Sequence, residues 1–168
     1  MRRTGEGTGR FYAVRRHRSI EIETDSVDLP GRISSAGEKP MAVRIVRLGS
    51  RRARGEGLRI GTVRRPPRGV PKSEFAKRNY YDVWLPDLSP SPAAVKVALA
   101  ATNDREWARF ERQFRREMSR PEARRLLDLL AALSHHSNFS VGCYCEEESR
   151  CHRGVLRSLF EERKASIL

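Results

Sequence analysis

The strongest constraint on the fold lies near the C-terminus, where a β-prone run passes into a helix through an acidic loop. Phe139 to Cys145 has the character of a strand, Glu146, Glu147 and Glu148 follow, and a helix begins near Cys151. Val155, Leu156, Leu159 and Phe160 define the buried face of that helix. Counting back by three and four places Cys151 and His152 at the edge of the inward face, with Arg153 toward the flank. Such a β–loop–α unit points to an open α/β fold, in which ligands bind outside the carboxyl ends of the strands. All three cysteines, Cys143, Cys145 and Cys151, fall at this junction.

The rest of the chain supplies the partners of this unit. Val43 to Leu48 is a short β-prone run closed by Gly49-Ser50. Leu58 to Val63 is a second, stopped by the prolines of Arg64-Arg65-Pro66-Pro67-Arg68-Gly69. Tyr80 to Leu85 is a third, ended by Pro86. Ser91-Pro92 marks a helix start before an alanine-rich stretch to about Ala101. Asn103 with Glu106 has the pattern of a capping box, and Trp107, Phe110, Phe114 and Met118 recur at helical spacing as core residues. Ser119 with Glu122 repeats the capping pattern and opens a helix from Ala123 to Leu133, with Leu126, Leu127, Leu130 and Leu133 as its buried stripe.

The expected fold is therefore an α/β domain over residues 41–168. It has a short, mostly parallel sheet of about four strands flanked by helices. Residues 1–40, rich in Gly, Ser, Arg and Glu without sustained apolar period, are expected to form a disordered extension, with Met41 a second place where translation could start. No run approaches the roughly 18–20 apolar residues of a membrane span. The basic start is followed by no apolar signal segment, so the expected location is the cytoplasm, with reduced thiols.

The formal charge is +13, and between Arg44 and Lys72 ten basic residues face one acid, Glu56. That run could draw in phosphate or carboxylate ligands, or it could be a solvated loop in an arginine-rich chain.

The cysteine cluster has three chemical readings. Cys143, Cys145, Cys151 and His152 supply the donor types of a zinc site, although the spacing is not that of the familiar zinc knuckles. A reactive thiolate is the second, because a helix start and Arg153 would lower a thiol pKa at Cys145 or Cys151. A cysteine phosphatase is excluded: the arginine its loop requires falls on Cys151, one residue after Arg150, and the loop carries three carboxylates. Packing is the third, since buried cysteine behaves as a small apolar residue.

In combination these segments resemble the YeaO-like family. The resemblance runs from about Val43 to Arg163 and rests on four segments: Arg64 with Pro67-Arg68-Gly69-Val70; Asp82-Val83-Trp84-Leu85 with Leu88 and Pro90-Ser91; the aromatic helix of Trp107, Phe110 and Phe114; and the closing Cys145 to Arg153. It departs from the family pattern at Val63 and Pro66, where relatives carry aspartate and tryptophan. The resemblance implies a compact three-layer single α/β domain and names no reaction.

The expected function is a small enzyme or binder for an anionic metabolite or nucleotide. Arg64, Arg68 and Arg153 would hold its charge. Asp82 would serve as general base or orienting group, and Cys145, Cys151 and His152 as nucleophile, thiolate or metal ligands, with zinc the cofactor to consider. The alternative is a non-catalytic nucleic-acid-associated protein using the basic 44–72 surface.

Overall fold

A computed structural model describes residues 41–168; the expected N-terminal extension lies outside the described residues. The four β-prone runs become strands β1 (Val43–Arg47), β2 (Leu58–Gly61), β3 (Val83–Trp84) and β4 (Phe139–Cys143). They form one all-parallel sheet in the order β1-β4-β2-β3. Phe139 lies opposite both Val43 and Leu58, so the last strand is inserted between the first two. All five residues of β4 are buried, as a central strand requires.

Helices α1 (Pro92–Ala100), α2 (Asp104–Met118), α3 (Pro121–Leu133) and α4 (His152–Glu162) complete the α/β architecture. Their start signals work largely as the sequence implies. Ser91 Oγ accepts from Ala94 N, with Pro92 in the first turn of α1. Asn103 Oδ1 accepts from Glu106 N at 3.0 Å, and Glu106 reaches back one residue further than a capping box, to Thr102 N at 2.7 Å. The expected cap of α3 is corrected. Arg120, not Ser119, occupies the N-cap, because Pro121, lacking an N–H, takes the first helical position. Ser119 instead ends α2, its hydroxyl donating to Arg116 O. The α3 stripe shifts accordingly: Ala123, Leu127, Leu130 and Ala131 are buried and Leu133 is exposed.

Strand alternation sends Val43, Ile60, Phe139 and Val141 into one core with Phe110, Phe114, Leu127, Leu156 and Phe160 of the helices. On the opposite face, the segments that carry Tyr81 and Leu48 lie directly against the sheet. A Cβ at Gly61 would lie 2.4 Å from the Tyr81 ring, and one at Gly142 would lie 2.7 Å from the Leu48 side chain. Only glycine lets those segments rest on the sheet. The third strand is shorter than Tyr80–Leu85 for the same reason: Tyr81 turns in to pack, and pairing is confined to Val83–Trp84.

Beneath this layer lies Arg59, fully buried. Its Nε and Nη2 donate to Glu56 at 2.6 and 2.9 Å, and its Nη1 donates to Ser50 O and Asn79 O. Glu56 also accepts from Ser140 Oγ and Ala53 N. The pair thus ties the β1–β2 connection to the centre of the sheet. At the outer edge of β1, Val43 N donates to Ser166 O and Leu168 N to Val43 O, so the C-terminal residues cover that edge.

Candidate functional site

The parallel strands end together, and the loops leaving β2 and β4 enclose a cleft of about 860 Å³ with α1 and α2. Cys143, Cys145, Cys151 and His152 form part of its lining, as do Arg64, Arg65, Arg68 and Arg150. This is the carboxyl-end position that the β–loop–α unit implied.

The three thiols converge, with all sulfur atoms within 4.8 Å of one another. Cys143 is the last residue of β4 and is buried, Cys151 occupies the N-cap position of α4 without a side-chain capping bond and is buried, and Cys145 on the loop between them is exposed. The Cys143 thiol donates to Cys145 Sγ at 3.6 Å. Hydrogen bonds from the Cys143 and Cys151 thiols hold Cys145 well below the usual thiol range. Donation to Cys145 pushes Cys143 up to about 11, and the two sulfur partners push Cys151 up as well. The neighbouring thiols thus favour a thiolate at Cys145 over one at Cys143 or Cys151.

His152 is buried beneath this centre, its Nε2 2.7 Å from Thr62 O. A carbonyl only accepts, so Nε2 carries the proton and Nδ1 the lone pair, 3.9 Å from Cys151 Sγ. Burial drives the imidazole down to about 4, leaving it neutral at pH 7. Its ring meets Phe114 edge-on.

The remaining expected residues separate. Arg153 is buried and donates from Nη2 to Glu146 O at 2.7 Å, holding the cysteine loop from below rather than lining the cleft. Arg64 donates to Ser89 O and Pro90 O, and Arg68 stands exposed on the rim. Asp82 is not brought to the cleft. It accepts from both terminal nitrogens of Arg52, at 2.8 and 2.7 Å, and from Arg59 N at 2.8 Å. Arg59 pairs with Ser140, three residues before Cys143 and so roughly 10 Å away along the strand. The Arg52 guanidinium holds the Asp82 carboxyl below its usual range, which suits a structural ion pair and not a general base.

The basic run 44–72 divides likewise. Arg59 is buried on Glu56, Arg52 pairs with Asp82, and Arg47 pairs with Glu146. Two cleft residues that the sequence did not single out as ligands or walls are Tyr144 and Arg150. The Arg150 guanidinium lies 5.6 Å from the Trp107 ring centroid, a pairing between residues 43 apart that no local pattern reveals.

As metal ligands, the three cysteines could hold an ion such as zinc. Bonds of about 2.3 Å imply a sulfur–sulfur edge of about 3.8 Å, close to the 3.6 Å between Cys143 and Cys145. The four-donor set with His152 is not assembled: only the three sulfurs form a mutually close group, and the imidazole Nε2 is committed to Thr62.

Fold and site together define a small parallel-sheet α/β protein with a three-cysteine centre at the strand ends. Residues 43–164 match the family model described as the active DUF488-N3 subclade, and the chain belongs to that DUF488 family. The YeaO-like resemblance falls within the same family. Comparison with curated proteins and with solved structures gives no match. No helix among the described residues is long and apolar enough to cross a membrane.

Proposed function

We propose that the protein is an enzyme acting on a small anionic ligand, a metabolite or nucleotide, with Cys145 as the reacting thiolate. One observation carries this reading: the exposed Cys145 sulfur stands at the cleft, accepts from the buried Cys143 thiol at 3.6 Å and lies within 4.8 Å of Cys151 Sγ. Such support favours the thiolate, the nucleophilic form. The "active" label of the matched subclade agrees with a chemical role. Arg64, Arg68 and Arg150 border the cleft and would hold the ligand's charge, while Trp107 offers an apolar wall. Arg153 and His152 act as positioning residues, one anchoring the cysteine loop and the other presenting its lone pair to Cys151.

The test is iodoacetamide labelling between about pH 5 and pH 9, read by peptide mass spectrometry, since alkylation follows the thiolate fraction. Cys145 should be modified by about pH 6 while Cys143 and Cys151 remain free. Modification of Cys145 only above about pH 8.5, as for an ordinary thiol, would sink the reading. A thermal-shift series with nucleotides and sugar phosphates then identifies the ligand class, and Arg68→Ala should reduce the shift.

A second reading is favoured by the convergence of three sulfurs within 4.8 Å. Cys143, Cys145 and Cys151 would hold zinc with the fourth position open toward the cleft, the arrangement of catalytic rather than structural zinc. About one zinc per chain, lost in Cys151→Ser, together with protection of Cys145 from alkylation, would favour the metal over the free thiolate.

A further inference from the structure

Outside the cleft, α2 presents a second chemical surface. Arg105, Arg109, Arg112 and Arg116 are all exposed, and their spacing of four, three and four residues places them on one face of the helix. The row extends about 16 Å at 1.5 Å per residue. Two adjoining grooves, of about 520 and 480 Å³, run beside it and share Arg109 and Arg112 in their walls.

This row lacks the compensation that several arginines elsewhere have. Arg47, Arg52, Arg78, Arg115, Arg150, Arg157 and Arg163 each pair with a carboxylate. Among the described residues, none of the four α2 guanidinium groups has a carboxylate within 4.0 Å. The bordering acid, Glu106, is occupied by the backbone N–H and hydroxyl of Thr102. Like charges three and four residues apart oppose helix formation, and Arg105 also faces the positive end of the helix dipole. The chain thus keeps like charges on a rigid element, tempered only in part by Glu106 beside Arg109 and by the C-terminal end of the dipole at Arg116.

We infer that the arginine face of α2 binds the sugar–phosphate backbone of nucleic acid. Guanidinium groups grip phosphate oxygens in pairs. A nucleic-acid strand carries a charge about every 3.4 Å of helix axis, so about four or five phosphates lie along the row. A membrane fits less well, because the apolar residues of the groove are only Val97, Ala100 and Ala101, without the large side chains that anchor an interfacial helix. The surface differs from the 44–72 run and does not depend on the chemistry at Cys145.

Fluorescence anisotropy of the full chain with a labelled DNA duplex of about 20 base pairs tests the inference across about 50 to 200 mM salt. Arg109→Glu with Arg112→Glu should weaken binding by more than about tenfold and lower the salt slope by about two, one for each lost phosphate contact. Arg124→Glu with Arg125→Glu on α3 changes net charge equally and should alter binding by less than about threefold. Equal loss in both variants would reduce the effect to net charge and overturn the assignment, as would an unaltered α2 variant. Tighter binding of poly-glutamate than of the duplex would also overturn it, by assigning the face to acidic protein. Should the Glu variant melt early, Arg109→Gln with Arg112→Gln carries the same prediction for the salt slope.

Discussion

Replacing His152 with glutamine should remove a specific part of the protein's acid sensitivity. The folded imidazole is held at about 4 by burial, with Nε2–H donated to Thr62 O, against about 6.5 in an unfolded chain. Between those values the unfolded state binds a proton that the native state refuses, so stability rises with pH there and falls as pH drops through 6.5 toward 4. The difference of about 2.5 pKa steps corresponds to about 3.4 kcal/mol in full, of which about 2.5 kcal/mol is expressed between pH 7.5 and pH 4.5. Urea unfolding of the wild type and His152→Gln across that range measures it. The variant starts from a lower stability because its amide cannot reproduce the ring's contact with Phe114, so the readout is the slope and not the absolute value. A wild-type slope exceeding the variant's by up to about 1.4 kcal/mol per pH unit is expected. Parallel pH profiles for the two proteins would refute the buried neutral imidazole, and with it the lone pair assigned to Nδ1.

Glu56→Gln should cost about 3–5 kcal/mol in chemical denaturation, because it strands the buried Arg59 charge; a loss below about 1 kcal/mol would mean that water reaches the pair. Burial opposes the Glu56 charge, but hydrogen bonds from Arg59, Ser140 and Ala53 N outweigh it and lower its pKa. Its contribution is therefore present above the ordinary carboxylate range and lost as pH falls through the lowered value, below the His152 window. Phe110→Ala, removing a ring buried between Trp107 and Phe114, should destabilise by about 3–5 kcal/mol; a fully stable variant with weaker ligand binding would reassign the ring to the cleft. Gly61→Ala should destabilise by about 1–3 kcal/mol by driving a methyl into Tyr81; thermal melts unchanged within about 2 °C would show that the Tyr81 layer yields freely.

What the sequence makes legible is local. Ser91-Pro92 and Asn103 announce their helices because a cap needs only the next three residues. The cysteine centre is visible because its members are close in sequence and one helix phase places Cys151 and His152. Long-range partners carry no such mark. Asp82 looks like a free carboxylate until the fold sets it against Arg52, thirty residues away, and Arg59 looks like surface until Glu56 and the carbonyls of Ser50 and Asn79 surround it. Arg153 has a partner of the same unmarked kind: the backbone carbonyl of Glu146 accepts from its Nη2. Ser119 shows the local signal itself misleading, since the capping pattern is overridden by the proline two residues later.

The insertion of β4 between β1 and β2 has a consequence for synthesis on the ribosome. Val43 and Leu58 both pair with Phe139, so neither early strand can find its central neighbour until nearly a hundred residues have followed β1. Throughout most of that interval the emerging chain carries β1 unpaired, β2 joined only to the two-residue β3, and an apolar helical layer with an incomplete sheet to cover, a condition that invites intermolecular pairing. The edge of β1 closes later still, when Ser166 and Leu168 leave the exit tunnel. Completion of the sheet therefore waits for the segment that follows α4, and changes within residues 166–168 should damage solubility more than changes in the α1–α2 connection.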